Sequence, residues 1–522
     1  MNRVVEKLAV WVLVLCTAPG LNAAFAQEEL VTPDPIPEPI QRSGLTIKLV
    51  DYVQVPINPE FYPPSRIVQL AHAGDASGRL FAVDMRGKIY VIHSGWLRDE
   101  PFLDVAELRG ERFEQARLGR GLISLAFHPD FARRNRPGFG RLYTLHTETG
   151  DGADDDIQVR VFPPPEGEIR RRAILTEWRV DPLNPNRVDP ATRREVLQMG
   201  FRHSDHMAGF IAFNSNARPN GPDYGNLYLA IGDSGDTFLW TSRIDKDNTA
   251  QNLNTVAASI LRIDPLPGAG RSYQVPNDNP FSREDAPGLA EIWAYGLRNP
   301  KWFTWDSGGD GAMLIVDIGQ RHIEEINLGI KGANYGWSER EGTFVTNRDD
   351  QMELYRRDLD DRRHGFTYPV AQYDHDEGLA VSGGFVYRGR NVPELVGQYI
   401  FGDIVSGRIF HMDTSRLQPG WLNTIMEVTV VHNGRPTTIL DMLGDVERAD
   451  LRFGMDEAGE LYVFTKQDGW IRRVESAMPA SEASPVDRKS RGNMIWILGG
   501  ATLFVVFGLV AFLKFRQPGN PQ

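Results

Sequence analysis

The chain has 522 residues, 41% hydrophobic and 24% charged, with a formal net charge of −12. That composition supports a large buried core, and the acidic balance argues against nucleic acid, which rewards basic surfaces through counterion release. Cys16 is the single cysteine, so intrachain disulfides are excluded, and a chain cleaved beyond it has neither thiolate metal sites nor cysteine nucleophiles.

In chain order, Arg3 and Lys7 precede an apolar run from Leu8 to Cys16, and Ala24-Phe25-Ala26 precedes Gln27. This is the pattern of a signal peptide over residues 1–26, with an uncleaved N-terminal anchor as the alternative. Residues 27–45 contain TPDPIPEP and read as a Pro-rich extended spacer. The folded domain is expected over 46–476.

Within it one phrase recurs: a turn glycine, an apolar residue, an aromatic, then alternating apolar positions. It starts at Gly78, Gly140, Gly225, Gly311, Gly397 and Gly459. Period-two alternation after a glycine turn is a half-buried strand, and in the first, fifth and sixth copies a second strand follows at once, as in a hairpin. Units of this length with several strands each predict an all-β fold, a six-bladed β-propeller, which removes its exposed edges by closing on itself.

Five segments carry chemistry. They are GLISLAFHPDF from Gly121, SDHMAGFIAFN from Ser204 with LYLAIGDSGD behind it, AQNLNTVAASILRIDP from Ala250, EIWAYGLRNPKWFTWD from Glu291 and DIGQRHIEEINLGIKGANYGW from Asp317. Together and in this order they resemble the pyrroloquinoline-quinone-dependent aldose sugar dehydrogenases, the glucose/sorbosone dehydrogenase family. SGGFVYRG from Ser382 fits the family's later blades more loosely.

His206, after Asp205 at the mouth of a strand, is placed where propeller loops converge, and a neutral imidazole there can take a proton. The family resemblance makes it the base that removes the C1 hydroxyl proton of an aldose. His203 beside it leaves open a metal reading of HSDH. Arg298 in YGLRNP has the planar, permanent charge suited to holding quinone oxygens and stabilising charge as hydride arrives, with Asn299 in the same turn. The resemblance implies two cofactors, pyrroloquinoline quinone and calcium. The calcium would sit on backbone carbonyls of Gly319 and Gln320, with Asp317 as a further ligand and the acidic pair Glu324 and Glu325 nearby.

Departures from the family pattern fall at Gly119 and Arg120, where a Gln or Glu is usual, and at Val405 and Ser406, where a lysine is usual. Arg448, with Arg452 beyond it, stands in place of paired arginines. Arg120, Arg408 and Arg448 are the residues expected to compensate at the quinone.

Residues 477–493 read as a linker, and 494–513 carry no charge over 20 residues, enough at about 1.5 Å per residue to cross a hydrocarbon core of about 30 Å as a transmembrane helix. Residues 514–522 would form a cytoplasmic tail, although Arg488, Lys489 and Arg491 outnumber Lys514 and Arg516 beyond the span. The expected protein is a membrane-anchored sugar oxidoreductase with its domain on the periplasmic or extracellular side, an electron acceptor in the respiratory membrane and no nucleic-acid partner. Two other readings stay open. One is a cell-surface binding propeller without catalysis, and the other is a calcium-dependent lactonase built on side chains such as Asp205, Asp233 and Asp317.

Overall fold

The structure is a computed structural model that describes residues 32–479, except 118, 151–158, 165–166, 235–247, 348–352 and 358–359. The expected signal peptide, the expected membrane span and its tail lie outside the described residues. Among the described residues no helix is long and apolar enough to cross a membrane.

Each recurring phrase forms the second strand of a sheet. Arg79–Asp84, Arg141–Thr149, Leu227–Ile231, Met313–Asp317, Gln398–Asp403 and Leu461–Phe464 pair antiparallel with the strands before them. The glycine that opens every phrase lies at φ between +68° and +84°. That is the left-handed region a side chain disfavours, so glycine marks the turn from the first strand into the second.

The six first strands are Ile67–His72, Leu122–Phe127, Ala208–Phe213, Pro300–Trp305, Val381–Val386 and Arg452–Met455. Each packs beside the next and the last packs beside the first, closing a ring around an axis. The remaining strands step outward from this ring, giving an all-β, propeller-like fold with only short helices. Aromatic rings fill the wedges between neighbouring sheets. Trp302 lies 3.9 Å from Phe210, centroid to centroid, and its indole nitrogen donates to the Gly384 carbonyl at 3.2 Å. The indole rests on Gly383, where any Cβ would run into it.

Closure uses the N-terminus. Gln41–Gln54 pairs antiparallel with Trp470–Pro479 and parallel with Met426–His432, so it covers the outer edges of the last two sheets at once. The strand begins inside the segment expected to be spacer, because its alternate residues Ile47, Leu49 and Val53 are buried. Residues 32–39 before it form no regular element.

Antiparallel pairing brings the start of each inner strand and the end of its second strand to the same face. His206, Arg298, Arg448, the Gly319 loop and the Ile404–Ser406 turn therefore share one end of the ring.

The closing strand gives a direct test. Leu49→Ala removes a side chain that is 1% exposed and should cost about 2–5 kcal/mol in denaturant unfolding. Lys48→Ala, which breaks only the exposed pair with Glu475, should cost under about 1 kcal/mol. Equal losses would contradict the pairing described.

Candidate active site

His206 enters the third inner strand through a backbone at φ +48°. Such a left-handed conformation in a non-glycine residue persists only where the surroundings impose it. The Ser234 amide donates to the His206 carbonyl at 3.2 Å and the Gly232 amide to Met207 at 2.7 Å. A Cβ on Gly232 would strike the His206 carbonyl, so the glycine of GDSG allows this approach.

The imidazole Nδ1 lies 2.8 Å from Asp233 Oδ1, and Trp337 Nε1 donates to Asp233 Oδ2 at 3.1 Å. A carboxylate only accepts, so Nδ1 carries the proton and Nε2 keeps the lone pair. Burial and then the Arg298 charge lower the His206 pKa, against Asp233. The imidazole is accordingly neutral at pH 7 and able to act as a base.

Arg298 is 5% exposed, and its donors are committed. Its backbone amide donates to Asp317 Oδ2 at 2.8 Å and that of Asn299 to Asp317 Oδ1 at 2.6 Å. The guanidinium donates to the carbonyls of Ile318 at 2.8 Å and Gly319 at 2.6 Å, and to Gln320 Oε1. Its Cζ lies 5.8 Å from the centre of the Trp337 ring. Glu341 holds this loop from behind: its Oε1 accepts from the amides of Gln320, Arg321, His322 and Ile323. Against the upward push of burial, His322 and these amides keep the Glu341 pKa below its usual range.

This arrangement bears on the expected calcium site. The Gly319 carbonyl and the Gln320 side chain accept from the guanidinium, and both oxygens of Asp317 accept backbone amides. A divalent ion on the Gly319 carbonyl or on Asp317 would face that charge at contact distance, which disfavours these two as calcium ligands. Glu324 and Glu325 turn elsewhere, Glu324 to His375 and the Val381 amide, Glu325 to Asn327 and the Gly342 amide. Among the described residues Asp205, Asp233 and Asp317 do not come together as a group that could hold a metal ion.

The compensating arginines also resolve differently from expectation. Arg120 pairs with Glu114, which Arg171 shares; Arg408 is clamped between Glu377 and Glu427; Arg448 pairs with Asp450. None of the three lines the axial cavity. That cavity takes a residue from each inner strand: Val68, Ile123, Gly209, Lys301, Ser382 and Arg452, with Phe210, Trp302, Ile404 and Lys466 also on its wall.

Its charge comes from Lys301, Arg452 and Lys466, and none of these has a carboxylate partner among the described residues. Burial, then Arg452, lowers the Lys301 pKa to about 8; burial lowers that of Arg452 to about 10 and depresses Lys466 well below its usual value, with Arg452 adding to the push. Gly119, where the resemblance suggests a Gln or Glu, adjoins the Lys301 ammonium: an added Cβ would lie 3.9 Å from it. Lys301 and Lys466 were not singled out by sequence, since one lysine in a strand or turn carries no signal until the ring assembles.

The sequence model of the family described as Glucose / Sorbosone dehydrogenase matches residues 66–469. The Hedgehog-interacting protein of Mus musculus is 28% identical over 408 residues, covering 76% of this chain and 48% of its own length. The aldose sugar dehydrogenase YliI of Escherichia coli is 29% identical over 217 residues, 42% of this chain and 46% of its own. The chain spans about half the length of the curated relatives it matches first. Among solved structures, the PQQ-bound aldose sugar dehydrogenase of Streptomyces coelicolor superposes with a TM-score of 0.52 at 18% identity, over 84% of this chain and all of that one, a likeness of fold.

The His206 environment predicts its titration. Its folded pKa is lowered, so the stability tied to the neutral ring is present above the unfolded value near 6.5 and is lost as pH falls through the folded one. The imidazole NMR midpoint should lie below 6.5, and Asp233→Asn, which removes the opposing negative charge, should move it lower still. A midpoint above 6.5 would contradict this geometry.

Proposed function

Since this chain belongs to the glucose / sorbosone dehydrogenase family, we propose that it is a quinoprotein oxidoreductase acting on the C1 hydroxyl of an aldose sugar or related polyol. The reaction is assigned to one face of a six-bladed propeller, one blade on each ring strand. The observation that carries this reading is the His206–Asp233 pair at the end of the ring where the inner strands begin and where Lys301 and Arg452 enter a cationic axial cavity.

Pyrroloquinoline quinone is planar and carries three carboxylates. Lys301, Arg452 and Lys466 supply unpaired positive charge for such a group, while Ile123, Phe210 and Trp302 supply apolar wall for its rings. By charge and polarity the residues fit it. When bound, the quinone supplies the hydride acceptor. The protein's part is to take the proton: His206 Nε2 accepts it from the sugar hydroxyl, and Asp233 stabilises the imidazolium that forms through Nδ1–H. Arg298, fixed against the Ile318–Gln320 loop, holds a permanent charge beside the imidazole that favours negative charge developing on substrate or cofactor oxygen.

We propose also that residues 1–26 direct export and that 494–513 anchor the domain on the far side of a membrane, near an electron acceptor. The basis is the uncharged 20-residue run and the leader pattern.

A second reading is a binding propeller without catalysis. It is favoured by the likeness to Hedgehog-interacting protein and by the ion pairs that hold Arg120, Arg408 and Arg448 away from the cavity. Sugar-dependent dye reduction by the purified protein supplied with the quinone separates the two. Turnover is expected, and His206→Ala should lower it by about 10²–10⁴-fold. Full turnover in His206→Ala removes the base assignment. No turnover with any aldose, in protein that has bound the quinone, favours the binding reading.

A further inference from the structure

A cluster lies away from the imidazole, where the N-terminal segment crosses the entry to the fifth inner strand. Asp34, Asp374 and Asp376 place carboxylate oxygens within 4.8 Å of one another. Asp374 ends the strand Ala371–Asp374 and is 3% exposed. Its Oδ2 accepts the Ile36 amide at 3.0 Å, but its Oδ1, equally buried, has no hydrogen-bond partner. A buried carboxylate oxygen left bare is costly, and two further carboxylates beside it add repulsion. No lysine, arginine or histidine forms an ion pair with any of the three among the described residues. His375, between two of them in sequence, turns to Glu324 at 2.9 Å.

We propose that Asp34, Asp374 and Asp376 form a binding site for a hard divalent cation, calcium by its ligand set. Calcium bonds oxygen at about 2.3–2.6 Å, so oxygens sharing one ion lie at most about 5 Å apart, and this cluster meets that limit. Magnesium gives up its water reluctantly and is usually held by one or two carboxylates, so three carboxylates suit calcium better. With the imidazole of His375 engaged, the donors are oxygen alone, which disfavours zinc and copper. The bare Asp374 Oδ1 gains its partner, and the three charges gain a counter-ion.

The ion ties two remote parts of the chain. Residues 32–36 are held by the Thr32 amide on the Leu354 carbonyl and by the Ile36 amide on Asp374. The segment from Asp374 to Val381 leads into an inner strand and is pinned by Glu324 and by Asp403, which accepts the Ala380 amide at 2.7 Å. Calcium at this junction staples the N-terminal segment to the same face that carries His206. The competing state is a proton: burial, then Asp376, pushes the Asp374 carboxyl up to about 8.

Equilibrium dialysis and thermal melting of the full chain in detergent, without quinone, decide between them. Wild type should bind one calcium per chain and melt several degrees higher in about 2 mM calcium than in chelator. Terbium substituted for calcium should luminesce on excitation of the adjacent Tyr373. The variant carrying Asp34→Asn and Asp376→Asn changes two exposed side chains and should keep its circular dichroism. It should lose the calcium equivalent, the melting shift and the luminescence together. A wild type that binds no calcium overturns the proposal in favour of the shared proton, and a variant that keeps its calcium overturns the residue assignment.

Discussion

A guanidinium in a protein interior is costly unless its donors find acceptors, and Arg298 is almost wholly buried. Its guanidinium and its backbone amide need acceptors, and one hairpin supplies them: the carbonyls of Ile318 and Gly319, the Gln320 side chain and the Asp317 carboxylate. Satisfying Arg298 therefore locks the entry of the fourth inner strand to the turn beyond its partner strand. The Arg298 carbonyl in turn accepts the Asp233 amide at 2.8 Å, which sets the carboxylate that orients His206. The proposed base, the carboxylate that orients it and the fixed charge beside them follow from the burial of one side chain.

The same face explains why an anionic ligand suits the channel. Three cations line this cavity with no ion-paired carboxylate among the described residues, Asp450 acting on Arg452 and Lys466 only from a distance, and burial makes Lys301 and Lys466 hold their protons weakly. A protein gains nothing in stability from such an arrangement, because burying like charges destabilises the fold. It becomes favourable when a polyanion enters. Sites that pay for function in this way are where perturbed titration gathers.

Much of the fold was legible because its signals are local. The glycine at positive φ and the period-two alternation lie within a few residues of each other, so six phrases reported six second strands. The closing strand was not legible: Gln41–Gln54 takes meaning only from partners almost 400 residues later, and its Pro-rich flank masked it as a spacer. At the site, His206 and Arg298 were found through resemblance of their segments. Asp233 and Trp337 were not given their roles, since their convergence joins the sheet that carries His206 and Asp233 to a loop of the next one. Arg120, Arg408 and Arg448 were expected at the cofactor from charge type alone, but charge type does not reveal which carboxylate stands nearer. Lys301 and Lys466 escaped notice for the converse reason: only the assembled ring shows that no carboxylate among the described residues pairs with them.

The central claim is that the axial cavity is a polyanion site built for the quinone, and calorimetry reads it directly. Pyrroloquinoline quinone is titrated into the purified protein near pH 8.5, in two buffers of different ionisation enthalpy. Because Lys301 has a pKa of about 8 and Lys466 is also depressed, an incoming carboxylate should restore their protons. The account predicts one quinone per chain with net proton uptake, seen as a buffer-dependent heat, and weaker binding in Lys466→Met. Absence of binding, or binding with the same heat in both buffers, would contradict it.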